Sequence, residues 1–180
     1  MLQAAVLHPL AIYRNILYAS VTVIHEEATC MTDTEYMQIA LEEAAAAAEQ
    51  GEIPVGAVLV RDDRIVARAH NLRETLHDPT AHAEMLCLQQ ASRLLGTWRM
   101  QECTLYVTLE PCPMCAGAVL MSRLTRCVYG AYDPENGCCG SVYDLPADPK
   151  FHAPTRWTAE IHKTECEKVL KDFFEKRRSN

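Results

Sequence analysis

Residues 104–121 read TLYVTLEPCPMCAGAVLM, and this stretch decides the fold class. Thr104 to Thr108 has the β-branched and aromatic residues that are typical of a strand. Pro111 to Met121 follows as a predicted helix, because a proline suits the first turn and apolar residues continue beyond it. A strand that runs directly into a helix is the repeating unit of an α/β fold.

The rest of the chain repeats this alternation of strands and helices. Further predicted elements are a helix over Glu35 to Gln50, hairpin strands Pro54 to Val60 and Ile65 to Ala69, a helix from Asp78 to about Leu95, strands Cys127 to Tyr129 and Thr158 to Ile161, and a last helix from Thr164 to Arg177. The alternation predicts an α/β fold, a three-layer α/β/α sandwich around a mixed sheet of about five strands.

The composition excludes several classes of protein. The chain has 180 residues, of which 49% are hydrophobic and 23% are charged, so it fits one globular domain. No apolar run approaches the roughly 18 residues of a membrane-spanning helix. The net charge of −7 disfavours a general nucleic-acid binder, which is normally basic. Contact with a nucleic acid therefore requires a local patch, and the densest group of cations is Lys176, Arg177 and Arg178.

The first thirty residues stand apart from this pattern. They show no clear period, and Thr32-Asp33-Thr34-Glu35, just after them, has the spacing of a capping box at a helix start. We therefore expect residues 1–30 to be an N-terminal extension and residues 31–180 to form the functional domain. An extra strand or helix within residues 1–30 is the alternative.

The nine cysteines are an odd number, and no secretory signal is recognisable ahead of them. Both features favour free thiols in a reducing compartment, so we expect a cytoplasmic protein. Paired cysteines in such a protein indicate a metal site before a disulfide.

Two short motifs, His82-Ala83-Glu84 and Pro111 to Cys115, carry the chemistry. Each lies at the predicted N-terminal turn of a helix. Cys112 and Cys115 share one helix face, where unpaired backbone N–H groups and the helix dipole favour thiolates. Together with His82 they form a set of one His and two Cys, which is typical of a catalytic zinc site with an open position for water.

Glu84 fits the needs of such a site. Zinc with two thiolates and a neutral imidazole has no net charge, so it acidifies a water molecule only weakly and a nearby carboxylate is a useful proton acceptor. A lone C-x-x-C could also be a redox pair or half of a structural zinc site. Neither of those alternatives uses both His82 and Glu84.

The two motifs resemble the zinc nucleobase deaminases, whose signature combines H-x-E with P-C-x-x-C. The resemblance is closest to the bacterial tRNA-specific adenosine deaminase family and runs from about Met31 to Arg178. It is densest over residues 53–60, 77–84 and 104–112. It implies a cytidine deaminase-like fold and a homodimer.

The resemblance also implies an activity and its residues. A zinc-activated water would deaminate adenosine to inosine at the wobble position of a tRNA anticodon loop. One Zn²⁺ per chain would be held by His82, Cys112 and Cys115, and Glu84 would be the catalytic residue that moves the proton. The implied substrate-binding residues are Asn71, Ala83, Asp133 and Phe174.

Several of these residues have plainer explanations. Asn71 is a common type of strand-end residue, and Asp133 suits an Asp-Pro turn. Phe174 lies at helical spacing with the other apolar residues of the last helix, and such a stripe usually belongs to the core. The stripe comprises Cys166, Val169, Leu170, Phe173 and Phe174.

Three residues near the metal motif also need an interpretation. Glu110 precedes the motif, either as an acceptor that orients a metal ligand or as a carboxylate at a helix start. Cys138 and Cys139 are interpreted as incidental thiols, because adjacent cysteines do not readily share a tetrahedral site.

Two other functions are compatible with the metal motifs. A deaminase of a free base or nucleotide, such as guanine or deoxycytidylate, would have the same metal ligands and acid. Asn71, the lead-in Asp78-Pro79-Thr80 and the basic C-terminal helix favour tRNA instead. A non-catalytic, zinc-stapled binding module would have no use for Glu84.

Overall fold

A computed structural model describes residues 31–151 and 155–179, and five helices and five strands lie in these ranges. In chain order they are α1 Asp33–Glu49, β1 Gly56–Arg61, β2 Arg64–His70, α2 Arg73–Leu76, α3 Ala83–Leu95, β3 Cys103–Leu109, α4 Pro113–Met121, β4 Arg126–Ala131, β5 Arg156–Thr158 and α5 Lys163–Arg178. The predicted extension, residues 1–30, lies outside the described residues. None of the described helices is both long and apolar enough to cross a membrane.

The five strands form one mixed sheet in the order β2-β1-β3-β4-β5. β1 pairs antiparallel with β2 and β3, whereas β3, β4 and β5 run parallel to one another. A two-residue turn joins β1 to β2, and its residues Asp62 and Asp63 both have positive φ, as a type I′ turn requires. Because β1 is antiparallel to its neighbours, its start lies at the same edge of the sheet as the ends of β2, β3 and β4.

Helices cover both faces of the sheet. On one face, α1 and α5 pack on the sheet through a buried cluster that includes Met37, Val58 and Cys166. On the other face, α3 and α4 close a second buried cluster around Leu59 and Leu105. The predicted three-layer sandwich around a five-stranded mixed sheet is therefore confirmed.

One glycine permits the close contact between α1 and the sheet. A Cβ atom on Gly56, the first residue of β1, would collide with the backbone of Ala40 and Ala44 in α1. Any larger residue at this position would push the helix away from the strand. The close packing of α1 against the start of β1 therefore requires this glycine.

Some predicted boundaries are wrong. The predicted helix start at Asp78 is a turn, because the Asp78 carboxylate accepts the backbone N–H and the hydroxyl of Thr80, both at 2.7 Å. Helix α3 begins only at Ala83. The fifth strand spans Arg156–Thr158 rather than 158–161, and the short helix α2 has no counterpart in the sequence prediction.

Candidate metal centre and active site

The sheet edge formed by the ends of β2, β3 and β4 gathers the candidate residues. Asn71 directly follows β2, Glu110 follows β3, and Asp133 lies just after β4. The backbone N–H of Leu72 donates to the carbonyl of Ala81 at 3.0 Å, which joins this edge to the start of α3. The fold therefore brings motifs that are about thirty residues apart to one edge of the sheet.

His82, Cys112 and Cys115 form the centre of the site. His82 is the N-cap residue of α3, Cys112 is the N-cap residue of α4, and Cys115 lies in the first turn of α4. The Nδ1 atom of His82 lies 3.7 Å from Sγ of Cys112 and 3.6 Å from Sγ of Cys115. The three ligand atoms lie within 4.8 Å of one another, and the described residues contain no second group of this kind.

The two thiols of this cluster differ in acidity. A hydrogen bond from Cys115, helped by one from His82, lowers the pKa of Cys112 to about 4 against the opposing effect of burial. The same hydrogen bond and burial raise the pKa of Cys115. The hydrogen bond with Cys112 also raises the pKa of His82. At neutral pH Cys112 is therefore a thiolate, the form of cysteine that binds metals.

Glu84 lies in the first turn of α3, two residues after His82, and its side chain is only 4% exposed. Burial raises the pKa of Glu84 to about 7, and the nearby charge of Cys112 acts in the same direction. Hydrogen bonds from its own backbone N–H and from the Cys115 thiol partly oppose this shift. A carboxyl group with such a pKa can both accept and release a proton at neutral pH.

Asn71 is buried at the same edge and is held by Glu52. The Nδ2 atom of Asn71 donates to Oε2 of Glu52 at 3.1 Å. Glu52 is fully buried and also accepts the backbone N–H groups of Glu74 and Thr75 in α2, at 3.2 Å and 2.7 Å. Glu52 lies outside the motifs that the sequence pattern marks as functional. An acidic residue in the lead-in to a buried strand is the signal that would have identified it.

Asp133 begins the loop after β4 and serves a turn. Its Oδ1 atom accepts the backbone N–H groups of Glu135 and Asn136 at 3.0 Å and 3.1 Å. This geometry is the one expected of an Asp that starts a turn. The structure places Asp133 at the same end of the sheet as the cluster of His82, Cys112 and Cys115, and its carboxylate already has two backbone donors.

Glu110 holds that loop over the start of α4. It is 2% exposed and accepts the backbone N–H groups of Asp133, Cys139 and Ser141 at 3.1, 2.8 and 3.1 Å. The Ser141 hydroxyl also donates to it. Its hydrogen bonds are thus with the loop. They match neither of the two predicted roles, which were to orient a metal ligand or to place a negative charge at a helix start.

Phe174 is separate from this cluster. It is 42% exposed on α5, and its ring packs edge-on against Phe173 with centroids 5.5 Å apart. Cys166 is the buried residue of α5, and Leu170 is partly buried against the same core cluster, so these two residues confirm part of the predicted apolar stripe. The end of α5 that approaches the site is its start, where Nζ of Lys163 lies 5.2 Å from the ring of Tyr132.

The remaining candidates are buried. Ala83, the first residue of α3, is buried between His82 and Glu84 in sequence. Cys138 and Cys139 are buried, and no group of metal-ligating residues in the described part of the chain includes them. All eight cysteines that the structure describes have free thiols.

Comparison with known proteins gives consistent matches. The model of the MafB19-like deaminase family matches residues 31–178. A Bacillus subtilis protein named tRNA-specific adenosine deaminase is 50% identical over 145 residues, which cover 80% of this chain and 90% of that protein. A structure from studies of A-to-I editing by tRNA:A34 deaminases at the wobble position superimposes with a TM-score of 0.74 at 41% identity, covering 76% of this chain and 99% of that chain.

A guanine deaminase structure from Bacillus subtilis is also similar. Its TM-score is 0.55 at 38% identity, and the match covers 57% of this chain and 66% of that one. Both the coverage and the TM-score are lower than for the tRNA:A34 deaminase structure. The chain belongs to the MafB19-like deaminases, and among its relatives to the family of tRNA-specific adenosine deaminases.

Proposed function

We propose that this protein deaminates adenosine to inosine in tRNA, with the wobble adenosine of the anticodon loop as its target. The observation that carries the proposal is a buried carboxyl group, Glu84, beside the cluster of His82, Cys112 and Cys115. The name of the Bacillus subtilis relative and the fold of the tRNA:A34 deaminase support the choice of substrate.

The cluster fits one Zn²⁺. An imidazole nitrogen and two thiol sulfurs are donors that zinc prefers, and here they converge. His82 would bind through Nδ1, the atom that faces both sulfurs, and Cys112 and Cys115 would bind through Sγ. Zinc in this position supplies a Lewis acid that lowers the pKa of a water molecule.

Glu84 is the proposed catalytic residue. Deamination adds one water across the N1–C6 bond of adenine and then removes ammonia. One proton of the water must therefore reach N1, where inosine keeps it, and the other must pass from the new C6 hydroxyl to the departing amine. With a pKa of about 7, Glu84 accepts a proton and returns it at neutral pH. Helix α3 holds Glu84 two residues from His82, which keeps the carboxyl group beside the metal ligands.

Asn71, Ala83 and Asp133 are proposed to bind the nucleotide. Asn71 offers both a donor and an acceptor at the sheet edge, as recognition of polar base edges requires. Ala83 contributes its backbone at the start of α3, next to the metal ligand His82. Asp133 borders the site through its loop, and its carboxylate must satisfy the turn at the same time.

The C-terminal end of α5 is the proposed contact for the tRNA outside the pocket. The last turn carries Lys176, Arg177 and Arg178, and Phe174 is exposed beside them. A helix of 16 residues is about 24 Å long, so these cations would contact phosphates remote from the target base. Changing the three cations to Gln should flatten the salt dependence of tRNA binding by up to ~0.7 log unit per lost contact. An unchanged slope would identify the cluster as a solvated helix end.

The decisive experiment incubates the purified protein with tRNA and, in parallel, with guanine, cytidine and adenosine, followed by nucleoside analysis. Inosine at the wobble position is the expected product. Conversion of a free base without inosine in tRNA would identify a free-base deaminase. Turnover of none of these substrates by zinc-loaded protein would support the binding module instead. The Glu84→Gln variant is the control for contaminating deaminases.

We also infer a homodimer that uses one face of α4. This helix is apolar all round, yet Met121 is 71% exposed and Met114 and Ala118 are partly exposed. Helices that are apolar on every side are normally covered, so a second copy of the chain is the proposed cover. Light scattering should give the mass of two chains, and Met121→Glu should reduce it to one. A single-chain mass for the parent would contradict this inference.

Residues 1–30 are proposed to be a dispensable extension of a cytoplasmic enzyme. The family match begins at residue 31, and the capping box at Thr32 and Glu35 starts α1 without them. A chain that begins at Met31 should fold, bind zinc and deaminate like the full chain. An insoluble or inactive product would show that the extension is structural.

A further inference from the structure

Glu52 is a buried carboxylate without a cationic partner among the described residues. Its side chain is fully buried, and its contacts are hydrogen bonds from Asn71 and from the backbone of α2. A buried carboxylate is tolerated only if hydrogen bonds replace its hydration. Three N–H donors bind the two carboxylate oxygens, so both oxygens of Glu52 have hydrogen-bond partners.

The contacts of Glu52 determine which way the Asn71 amide points. The backbone N–H groups of Glu74 and Thr75 can only donate, so Oε2 and Oε1 of Glu52 both act as acceptors. The Asn71 side chain must therefore turn Nδ2, and not Oδ1, toward Glu52. One Nδ2 proton is used in this bond. The other Nδ2 proton and the Oδ1 atom are left for a ligand.

Glu52 also ties Asn71 to the segment that leads into the metal site. The same carboxylate that holds Asn71 anchors the first residues of α2, and the neighbouring Leu72 bonds to Ala81, just before His82. The position of Asn71 relative to the metal ligands is thus set by a short, fully buried set of contacts.

We propose that Glu52 is a positioning residue, which locks the Asn71 amide so that one donor and one acceptor meet the edge of the adenosine nucleotide in a single arrangement. This inference rests on the proposed function, because it assumes that Asn71 contacts the substrate. A Gln at position 52 would keep the shape of the side chain but would turn an N–H group toward a backbone N–H, and the Asn71 amide would lose its fixed orientation.

The test is a double-mutant cycle on the full chain. Glu52→Gln and Asn71→Ala should each lower kcat/KM for tRNA by roughly 10- to 100-fold, with the parental zinc content. The double variant should be no worse than Asn71→Ala alone, because Glu52 acts through Asn71. Glu49→Gln, the same change at an exposed position nearby, should match the parent. Losses that multiply in the double variant would overturn the proposal and assign Glu52 a general structural role.

A second measurement does not depend on turnover. In the parent, the NMR signals of the Asn71 side-chain amide should show one slowly exchanging proton, and Glu52→Gln should abolish that protection. If the parent forms no inosine in tRNA, the proposed function fails, while this signal still decides whether Glu52 orients Asn71. A freely exchanging Asn71 amide in the parent would overturn the inference. This measurement needs only the parent protein, so it remains decisive even if the Glu52→Gln variant does not fold.

Discussion

Two regions of the molecule each bury a carboxyl group near the start of a helix, but the two groups differ in the hydrogen bonds that they accept. Beside the cluster of His82, Cys112 and Cys115, burial raises the pKa of Glu84 to about 7, and hydrogen bonds from its own backbone N–H and the Cys115 thiol only partly oppose this shift. Glu110, just after β3, is equally buried but accepts four hydrogen bonds from the loop after β4, three of them from backbone N–H groups.

The difference shows that burial alone does not make a carboxyl group reactive. A carboxylate surrounded by donors is a fixed structural acceptor, whereas one with few donors keeps a proton close to neutral pH. Glu84 is therefore suited to proton transfer, and Glu110 is suited to hold a loop. Changes at the two regions should separate loss of chemistry from loss of stability.

The largest effect should come from removing the metal ligands that distinguish the pocket. Cys112→Ser or Cys115→Ser should lose most of the zinc, because two remaining ligands hold the ion poorly. Activity should then fall below that of any variant that keeps zinc. Elemental analysis of the purified variants measures the ion directly, and full zinc in both would refute the ligand assignment. Cys138→Ser, a change of another buried cysteine, is the matched control and should keep its zinc.

Glu84→Gln should follow, with a loss of activity of about 10²- to 10⁴-fold, the usual contribution of general acid–base catalysis. The variant should keep its zinc and should unfold at the parental temperature or above it, because it no longer buries a carboxyl group with few donors. Single-turnover kinetics, zinc analysis and thermal unfolding measure the three quantities. Parental turnover at normal zinc content would leave Glu84 without a proton-transfer role.

Glu110→Gln should show the reverse pattern, a loss of stability with zinc retained. Its new amide group would face backbone N–H groups that now donate to a carboxylate, at a cost of about 1–3 kcal/mol. Gly137 makes the site tight, because a Cβ atom there would touch the Glu110 carboxylate. Urea unfolding measures the loss, and Glu135→Gln in the same loop is the exposed control. If Glu110→Gln and Glu135→Gln were equally stable, Glu110 would not have the structural role that distinguishes it from Glu84.

The cluster of His82, Cys112 and Cys115 was predictable from sequence because each half of it is local. His82 and Cys112 are N-cap residues, and Glu84 and Cys115 lie in the first turns that follow them, so spacing alone places the candidate ligands and the acid at helix starts. Only the contact between the two motifs depends on the tertiary fold. The alternation of strands and helices predicts this contact, because it places the helix starts at the same end of the sheet.

The contacts of Glu52 and Glu110 were not predictable, because their donors lie far away in sequence. Glu52 meets Asn71 across 19 positions, and Glu110 meets Ser141 across 31 positions, so no local pattern records either contact. The wrong helix start has a local cause, since Asp78 can satisfy a turn as well as a helix start. At α5, helical spacing cannot reveal that solvent covers the face that bears Phe174.

A third carboxylate, Asp33 at the start of α1, completes the comparison with the smallest expected effect. Arg126 donates to both of its oxygens, at 2.7 Å and 2.6 Å, and Tyr106 donates to it at 2.8 Å. The hydrogen bonds from Arg126 lower the pKa of Asp33, helped by Tyr106 and opposed by burial. Here the partner is a charge, so the folded state favours the ionised form.

Asp33→Asn should therefore weaken the fold in a pH-dependent way. Because the folded pKa lies below the unfolded value of about 3.9, the ionised Asp33 stabilises the fold above that pH and stops doing so as the pH falls through the folded pKa. The two side chains are 25% and 31% exposed, so the loss should be only about 1 kcal/mol between pH 5 and 7. Urea unfolding of parent and variant from pH 3 to 7 measures it, with Asp63→Asn as the exposed control. A difference that stays constant down to pH 3 would show that Asp33 contributes through shape and not through its charge.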